Sequence, residues 1–211
     1  AVSHVEDRPD GVQIRTNGKV ILGTALIAAD GVHSKIRQHI FSGKSPVDSG
    51  DVFHRALLQV PDSRITKECV NLWLYPQGHV VHYPVGTEQS LNLIAVTPTA
   101  STARDHFKHA EPELRELLEA AVLHFTAWPG FYAPSLSSWV RGNTLLVGDA
   151  AHATLPYLAQ GAAMALEDAA TLLRVLQGVS NIQNGFQEFQ QQRKPRTSRL
   201  HRASLAAGKN Y

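Results

Sequence analysis

The residues between positions 145 and 162 combine three features that suit a large polar ligand. Asp149 supplies a carboxylate at the end of a short apolar run, residues 145–147, and Pro156 fixes the loop that follows. Residues 160–162 then begin a run of Ala and Leu at helical spacing, so the first-turn amides have no bulky side chains beside them. Unpaired amides at the positive end of a helix dipole attract anions and electron-rich ring edges. These features predict a site for a cofactor with a hydroxylated arm and a ring that becomes anionic.

A longer pattern runs through this segment. It consists of Gly148-Asp149-Ala150-Ala151-His152, Pro156, Gln160-Gly161 and Glu167-Asp168-Ala169. The combination resembles the second flavin-binding motif of the FAD-dependent aromatic hydroxylases, which are single-component monooxygenases related to salicylate and p-hydroxybenzoate hydroxylase. The resemblance implies that FAD is the cofactor and that Gly148 lies at its binding site.

The resemblance also implies roles for individual residues. Asp149 is expected to accept a hydrogen bond from a ribityl hydroxyl of FAD, and Gln160, Gly161 and Ala162 to present amides to the N1/C2 oxygen edge of the flavin. Pro156 would keep its loop close to the ring, and Tyr157 would face the substrate. His152 is expected to anchor the loop by hydrogen bonding in the flavin neighbourhood, and not to act in catalysis.

A second apolar run, residues 25–29, ends at Asp30-Gly31 and predicts another buried strand. Ser34 then caps a short helix that carries Arg37 one turn along. Asp-Gly after a strand is by itself usually only a tight turn. With Ser34 and Arg37 in register, however, the segment resembles the Asp-Gly motif of the same family, which serves FAD and the pyrophosphate of the reduced nicotinamide. Asp30, Gly31, Ser34 and Arg37 are therefore expected at the cofactor site.

Four strand-like runs between residues 52 and 96 predict a mostly antiparallel sheet. Period two places His79 and Tyr83 on one face of a strand and His82 on the other. Such a pair could bind or deprotonate a phenol, although an ordinary half-buried strand with polar ends fits the residues equally well. In the family that the sequence resembles, such a sheet lies over the flavin and forms one wall of the substrate pocket. The resemblance favours His79 as a catalytic base, with Tyr83 in its relay.

The order of elements predicts a mixed α/β fold, namely a doubly wound FAD-binding domain that lacks its first βαβ unit and carries an inserted, mostly antiparallel substrate-binding sheet. We expect a partial FAD-binding domain at 1–43, the sheet and a helix at 44–139, the rest of the FAD-binding domain at 140–178 and a helical segment at 179–211. No Gly-x-Gly-x-x-Gly spacing occurs among the 15 glycines, although the family normally opens with one. The chain is therefore expected to be an N-terminally truncated piece, inactive alone.

Three local expectations concern the other helices. Residues 111–125 predict a helix that ends before Trp128-Pro129-Gly130. The last helix is expected to break or kink at Pro195. A solvated helix end is expected to carry its basic residues, Arg193, Lys194, Arg196, Arg199 and Arg202.

Composition excludes several other functions. A net charge of +2 gives no reason to expect nucleic acid, and no apolar run reaches the length of a membrane span. The single cysteine, Cys69, excludes an internal disulfide and favours the cytoplasm. The cysteine and the histidines lack zinc-like spacing, so no metal is expected, and a serine hydrolase would need a Gly-x-Ser-x-Gly elbow that is absent from this sequence. The oligomeric state stays open.

The resemblance implies that the complete enzyme hydroxylates a phenol or an aromatic acid with O2 and with NADH or NADPH, while FAD supplies the difficult chemistry. Two alternatives remain. One is an epoxidase or secondary-metabolite flavin oxygenase that acts on a non-aromatic alkene. The other is a truncated product without cofactor or turnover, which the flavin absorbance of the purified chain would distinguish.

Overall fold

The computed structural model describes residues 2–60, 69–86 and 90–209. The strands are β1 (Val2–Arg8), β2 (Gly11–Thr16), β3 (Lys19–Gly23), β4 (Leu26–Ala28), β5 (Val47–Gln59), β6 (Asn71–Tyr75), β7 (Gly78–Val85), β8 (Ser90–Pro98), β9 (Thr126–Tyr132), β10 (Val140–Arg141) and β11 (Thr144–Leu146). The helices are α1 (Lys35–Phe41), α2 (Ala103–His106), α3 (Pro112–Ala121), α4 (Asp149–His152), α5 (Gly161–Gln177) and α6 (Ile182–Ala207). In this part of the chain no helix is long and apolar enough to cross a bilayer.

The chain divides into two compact units, one formed by residues 1–47 with 131–210 and the other by residues 48–130. The first unit contains a three-stranded sheet in the order β1-β2-β3 and another in the order β10-β11-β4. The second unit is built on a five-stranded sheet in the order β6-β7-β8-β5-β9, in which β5, β6, β7 and β8 pair antiparallel. The predicted mixed α/β fold with a mostly antiparallel inserted sheet is confirmed.

The core of the first unit forms around β11, as its unbroken apolar run predicts. Leu145 and Leu146 are fully buried and pack in one cluster with Phe186 and Phe189 of α6. On the other side β11 pairs in parallel with β4, where Leu145 lies opposite Ile27. Ile27 is 45% exposed, which differs from the expected burial on both faces. The reason is that β11 is the only strand paired with β4 among the residues that the structure describes.

Strand β3 leaves a large apolar surface uncovered. It is the edge of its sheet, and Val20, Ile21 and Leu22 are 55%, 51% and 68% exposed. Because neighbouring strand residues point to opposite faces, both sides of this strand present aliphatic side chains to solvent.

One face of the five-stranded sheet packs against α2 and α3. The apolar stripe predicted for α3 is present, because Leu114, Leu117, Leu118 and Ala121 are all buried. They meet alternate residues of the sheet such as Val80. This stripe supplies the hydrophobic core of the second unit.

Two local predictions were wrong. The helix predicted over 111–125 ends at Ala121, and Trp128-Pro129-Gly130 lies inside strand β9. Since β9 is an edge strand, the missing N–H of Pro129 is tolerated there. The predicted break of the last helix at Pro195 is also wrong, because α6 runs from Ile182 to Ala207 with Pro195 inside it. A kink at Pro195 stays a prediction.

Buried histidines make the second unit sensitive to acid. Burial lowers the pKa of His54, His79 and His82 below the ordinary value of 6.5. Both ring nitrogens of His82 lack a hydrogen-bond partner within the described ranges, and its side chain is buried. The unfolded chain therefore binds more protons than the folded chain just below pH 6.5, so the free energy of unfolding falls as pH falls.

We expect this loss to approach about 1.4 kcal/mol per pH unit for each histidine that takes up a proton on unfolding. Urea denaturation between pH 7.5 and 5.5 measures it. The variant His82→Leu should reduce the slope, whereas His124→Gln, at an exposed position of the same unit, should leave it unchanged. Equal slopes for His82→Leu and the unsubstituted chain would contradict the assignment.

Candidate functional site

The ends of β4 and β11 meet at one edge of their sheet, as the sequence predicted. The two strands run in parallel with Ala28 opposite Leu146, and the amide of Val147 donates to the carbonyl of Ala28 over 3.0 Å. Beyond them lies an open cavity of about 650 Å³, which is within the range of small-molecule sites. It is lined by Ala29, Gly31, Val147, Gly148, Asp149, Thr154, Pro156, Ala159, Gly161, Ala162 and Ala165.

Small residues make this cavity a cradle for a bulky planar group. A Cβ atom added at Gly31 or Gly161 would meet nothing within 4 Å, so backbone there can approach a ligand closely. Gly148 has φ of 55° at the turn between β11 and α4, a conformation that L side chains rarely adopt. Helix α5 begins at Gly161 without a side-chain cap, which leaves its first amides available to an acceptor. These residues fit the flavin end of an FAD molecule.

The two acidic residues at the strand ends differ in their surroundings. Asp149 is exposed, lies in the first turn of α4 and lines the cavity. The carboxylate of Asp30 instead accepts hydrogen bonds from Ser34 Oγ at 2.5 Å, Lys35 N at 2.9 Å and Ile36 N at 3.3 Å. Asp30 therefore caps the start of α1, and its neighbour Gly31 provides the cavity wall. A contact of Asp30 with the cofactor stays a prediction.

Ser34 and Arg37 stabilise the backbone beside the cavity through hydrogen bonds. Ser34 Oγ accepts the amide of Arg37 over 2.9 Å, as expected of a helix cap. The Arg37 side chain is buried, and its guanidinium donates to the carbonyls of Ala150 at 3.2 Å, Ala151 at 3.1 Å and Pro134. Burial lowers the pKa of Arg37. In this arrangement Arg37 holds α4 in place, and its predicted contact with a nucleotide stays untested.

His152 anchors the loop after β11, which agrees with its expected role. Its Nε2 lies 2.7 Å from Oδ2 of Asp168 on α5, and the amide of Gly148 donates to the same oxygen over 2.9 Å. The other oxygen, Oδ1, accepts Arg193 Nε of α6 over 2.7 Å. The ring of Trp139 packs 5.2 Å from that of His152. One buried carboxylate thus ties the Gly-Asp turn to two helices.

The expectation that Arg193 is a solvated residue was wrong. Arg193 is 5% exposed and donates to Glu167 as well as to Asp168, and Glu167 also pairs with Arg196 through two bonds of 2.6 and 2.7 Å. Hydrogen bonds from Arg196 and Arg193 lower the pKa of Glu167 to about 2. Burial alone would raise the pKa of Asp168, but its bonds to His152, Arg193 and Gly148 lower it instead.

This network of hydrogen bonds and ion pairs, which supports the site, was not predicted from the sequence. Its signal was the adjacent pair Glu167-Asp168 on one helix and two arginines three positions apart on the next. This spacing brings both arginines to the same side of α6, where they can face the acidic pair.

The loop between α4 and α5 turns sharply beside the cavity. Pro156 begins a 3₁₀ turn, and Ala159 follows with φ of 51°, a left-handed conformation that is strained for a residue with a Cβ atom. Gln160 is the cap residue of α5. The half-buried ring of Tyr157 packs against Gly208 so closely that a Cβ there would lie 2.4 Å from Cε2. The contact of Tyr157 with substrate stays a prediction.

The second unit carries His79 and Tyr83, which share one face of β7. His79 is buried, and its burial lowers its pKa against an opposing effect of Asp51. The neutral imidazole, the form that accepts a proton, therefore persists below neutral pH. Four residues of extended strand separate the two side chains by about 13 Å, so each would contact a different part of a ligand. His82 lies on the opposite face and stacks on Trp73 with a centroid separation of 6.3 Å.

Comparisons with known proteins agree with this geometry. A family model described as an FAD binding domain matches residues 12–204. The 3-amino-4-hydroxybenzoate 2-monooxygenase of Streptomyces cremeus is 35% identical over 225 residues, which cover 100% of this chain and 56% of that protein. The 3-hydroxybenzoate 6-hydroxylase 2 of Aquipseudomonas alcaligenes is 30% identical over 226 residues, which cover 100% of this chain and 70% of that protein.

A solved structure extends the likeness to three dimensions. Klebsiella pneumoniae HpxO, complexed with FAD and uric acid, is similar with a TM-score of 0.89 at 25% identity. The match covers 98% of this chain and 57% of HpxO. The chain therefore spans little more than half the length of HpxO and of the Streptomyces relative.

Proposed function

Because this chain belongs to the family of FAD binding domains, we propose that it is part of an FAD-dependent monooxygenase that hydroxylates a small aromatic substrate with O2 and with NADH or NADPH. The cavity at the ends of β4 and β11 carries the proposal, since its glycine and alanine walls and the uncapped start of α5 suit a flavin. The relatives are named for oxygenating hydroxylated benzoates, which supports a phenol or an aromatic acid as the substrate. The single exposed cysteine, Cys69, fits a reducing, cytoplasmic setting.

In this proposal the residues of the first unit bind and orient the cofactor. Asp149 accepts a hydrogen bond from the ribityl arm, and the amides of Gly161 and Ala162 donate to the oxygen edge of the ring. When bound, FAD supplies the redox chemistry, because it takes electrons from the nicotinamide and activates O2. The ion pairs of Asp168 keep the Gly-Asp turn in position for this contact.

The second unit supplies a base for the substrate. A phenol is a better nucleophile after it loses its proton, and the buried, neutral imidazole of His79 is suited to remove that proton. Tyr83, on the same face, is placed to bind a second position of the same ligand. Both assignments are predictions that kinetics must test.

The cofactor assignment is tested first on the purified chain. The proposal predicts flavin absorbance after the chain is mixed with FAD and passed through a desalting column. Oxygenase activity is tested on this chain joined to the remaining length that its relatives have, by following NADH and NADPH oxidation together with the mass of the product. An epoxidase would be favoured by two results together. With every phenol and aromatic acid, oxidation of NADH or NADPH yields only peroxide, and with an alkene it yields an oxygenated product.

We expect His79→Ala in the joined enzyme to slow hydroxylation by about 100- to 10,000-fold, because a positioned base contributes that much. Flavin binding should not change. A matched control is His109→Ala, which removes an exposed histidine of the same unit and should leave the rate unchanged. A normal rate for His79→Ala would assign the base elsewhere.

A further inference from the structure

One face of α6 is buried although it is polar. Four of its side chains follow one another at spacings of three and four residues, and none is more than 7% exposed. They are Arg193, Thr197, His201 and Ser204. Arg193 bonds to Asp168, which also holds the amide of Gly148, and Ser204 Oγ donates to the carbonyl of Leu155 over 2.6 Å. Both ends of this face therefore bind segments that border the cofactor cavity.

The carbonyl that Ser204 binds lies directly before Pro156, which lines the cavity. Leu155 has ψ of 151°, the extended conformation that a following proline favours, and its side chain is buried. Ser204 is itself 1% exposed, so water does not compete for this hydrogen bond. Ala159, with φ of 51°, also lines the cavity. Residues 155–159, called the wall loop below, thus follow a strained path that the bond to α6 helps to hold.

Gly208 caps α6 one turn after Ser204 and lies against the ring of Tyr157. Its φ of −61° and ψ of −16° are close to helical values that any L residue adopts, so the backbone does not require glycine here. A Cβ atom, however, would lie 2.4 Å, 2.9 Å and 3.0 Å from Cε2, Cδ2 and Cζ of Tyr157. Alanine stabilises helices better than glycine does. The glycine therefore makes room for the ring at a small cost in helix stability.

We propose that Ser204 and Gly208 are positioning residues of the cofactor site. Ser204 holds the backbone before Pro156 and Gly208 receives the ring after it, so together they set how far Pro156 projects into the cavity. Neither is among the described residues that line the cavity, and both act through the wall loop. The inference rests on the proposed function, because it takes flavin as the ligand that the wall loop contacts. The end of α6 thus controls flavin affinity from outside the site.

The test is a double-mutant cycle in which the Kd of riboflavin is measured by fluorescence quenching on the purified chain. Gly208→Ala should raise this Kd about 3- to 10-fold, because the ring of Tyr157 must move and Pro156 moves with it. In the background Tyr157→Ala the same change should leave the Kd unchanged, since the added Cβ then meets no ring. A change that only lowered stability would shift the urea midpoint but not the Kd of the folded chain.

Ser204→Ala tests the other contact, whether or not Gly208→Ala folds. It should also raise the Kd of riboflavin about 3- to 10-fold, which is the effect of one hydrogen bond. The matched control is Thr197→Val, which removes a hydroxyl from the same buried face. The hydroxyl of Thr197 is bonded to carbonyls of α6 itself, those of Arg193 and Lys194, so riboflavin affinity should not change.

An unchanged Kd in Ser204→Ala overturns the proposal, and so does a Kd that Gly208→Ala raises equally with and without the ring of Tyr157. If the unsubstituted chain binds riboflavin and all the variants bind it equally well, only the positioning role is refuted and the proposed function stands. An unsubstituted chain that binds no riboflavin refutes the proposed function, and this inference with it.

Discussion

The variant Asp168→Ala is expected to lower the free energy of unfolding by about 3–5 kcal/mol, the cost of removing one partner from a buried ion pair. Asp168 is 3% exposed and neutralises Arg193, which is itself buried, so the variant leaves that charge with less compensation. The amide of Gly148 and Nε2 of His152 lose their acceptor at the same time. Urea denaturation followed by circular dichroism measures the loss.

Glu167→Gln provides a matched comparison on the same helix. Glu167 is partly exposed and bonds the same arginine, so water screens its charge and we expect a loss below about 1 kcal/mol in the free energy of unfolding.

The contribution of Asp168 to stability depends on pH, because the fold lowers the pKa of Asp168 below its usual value of 3.8. This contribution is present above pH 3.8 and is lost as the pH falls further. Equal losses for the two variants would show that burial of Asp168 does not set the strength of the network.

The variant Asp149→Ala is expected to weaken flavin binding by about 10- to 100-fold, because a charged acceptor is removed from the cavity wall. Riboflavin is a suitable probe because it carries the ring and the hydroxylated arm of FAD but not the ADP half. The glycine-rich motif that would bind the ADP half is absent from this sequence. Quenching of its fluorescence gives the Kd. Asp149→Asn, which keeps one oxygen acceptor, should have a smaller effect.

Asp10→Ala is the control for charge, because Asp10 is an exposed carboxylate of the same unit at the turn between β1 and β2. It should leave riboflavin affinity unchanged. Unaltered affinity in Asp149→Ala would falsify the role given to this carboxylate. Absence of riboflavin binding by the unsubstituted chain would remove the cofactor site itself.

The strands and helices around the cavity could be predicted from the sequence because their signals are local. The apolar run at 145–147 and the small-residue start of α5 each specify an element within a few residues. Their convergence with the end of β4 follows from parallel pairing, since the carboxyl ends of parallel strands share an edge. The resemblance added the identity of the cofactor, which spacing alone does not give.

The sequence was less informative where a side chain has two partners to choose from. Asp30 followed four residues later by Ser34 fits a ligand contact and a capped helix equally well, and only the coordinates show the hydrogen bonds to α1. Arg193 lies 25 residues from Asp168, so a basic helix face gave no sign of the buried pair. Trp128-Pro129-Gly130 carries a turn signal, but pairing with the distant strand β5 overrides it.

Strand β3 has a consequence for the behaviour of the chain in solution. Strand β3 is aliphatic on both sides, and within the described ranges no strand pairs with its outer edge. Such an edge is a template for a foreign strand. Until more polypeptide or a partner covers it, intermolecular pairing competes with the monomeric state. Protein concentration, together with temperature and pH, therefore determines what fraction of these molecules stays singly dispersed.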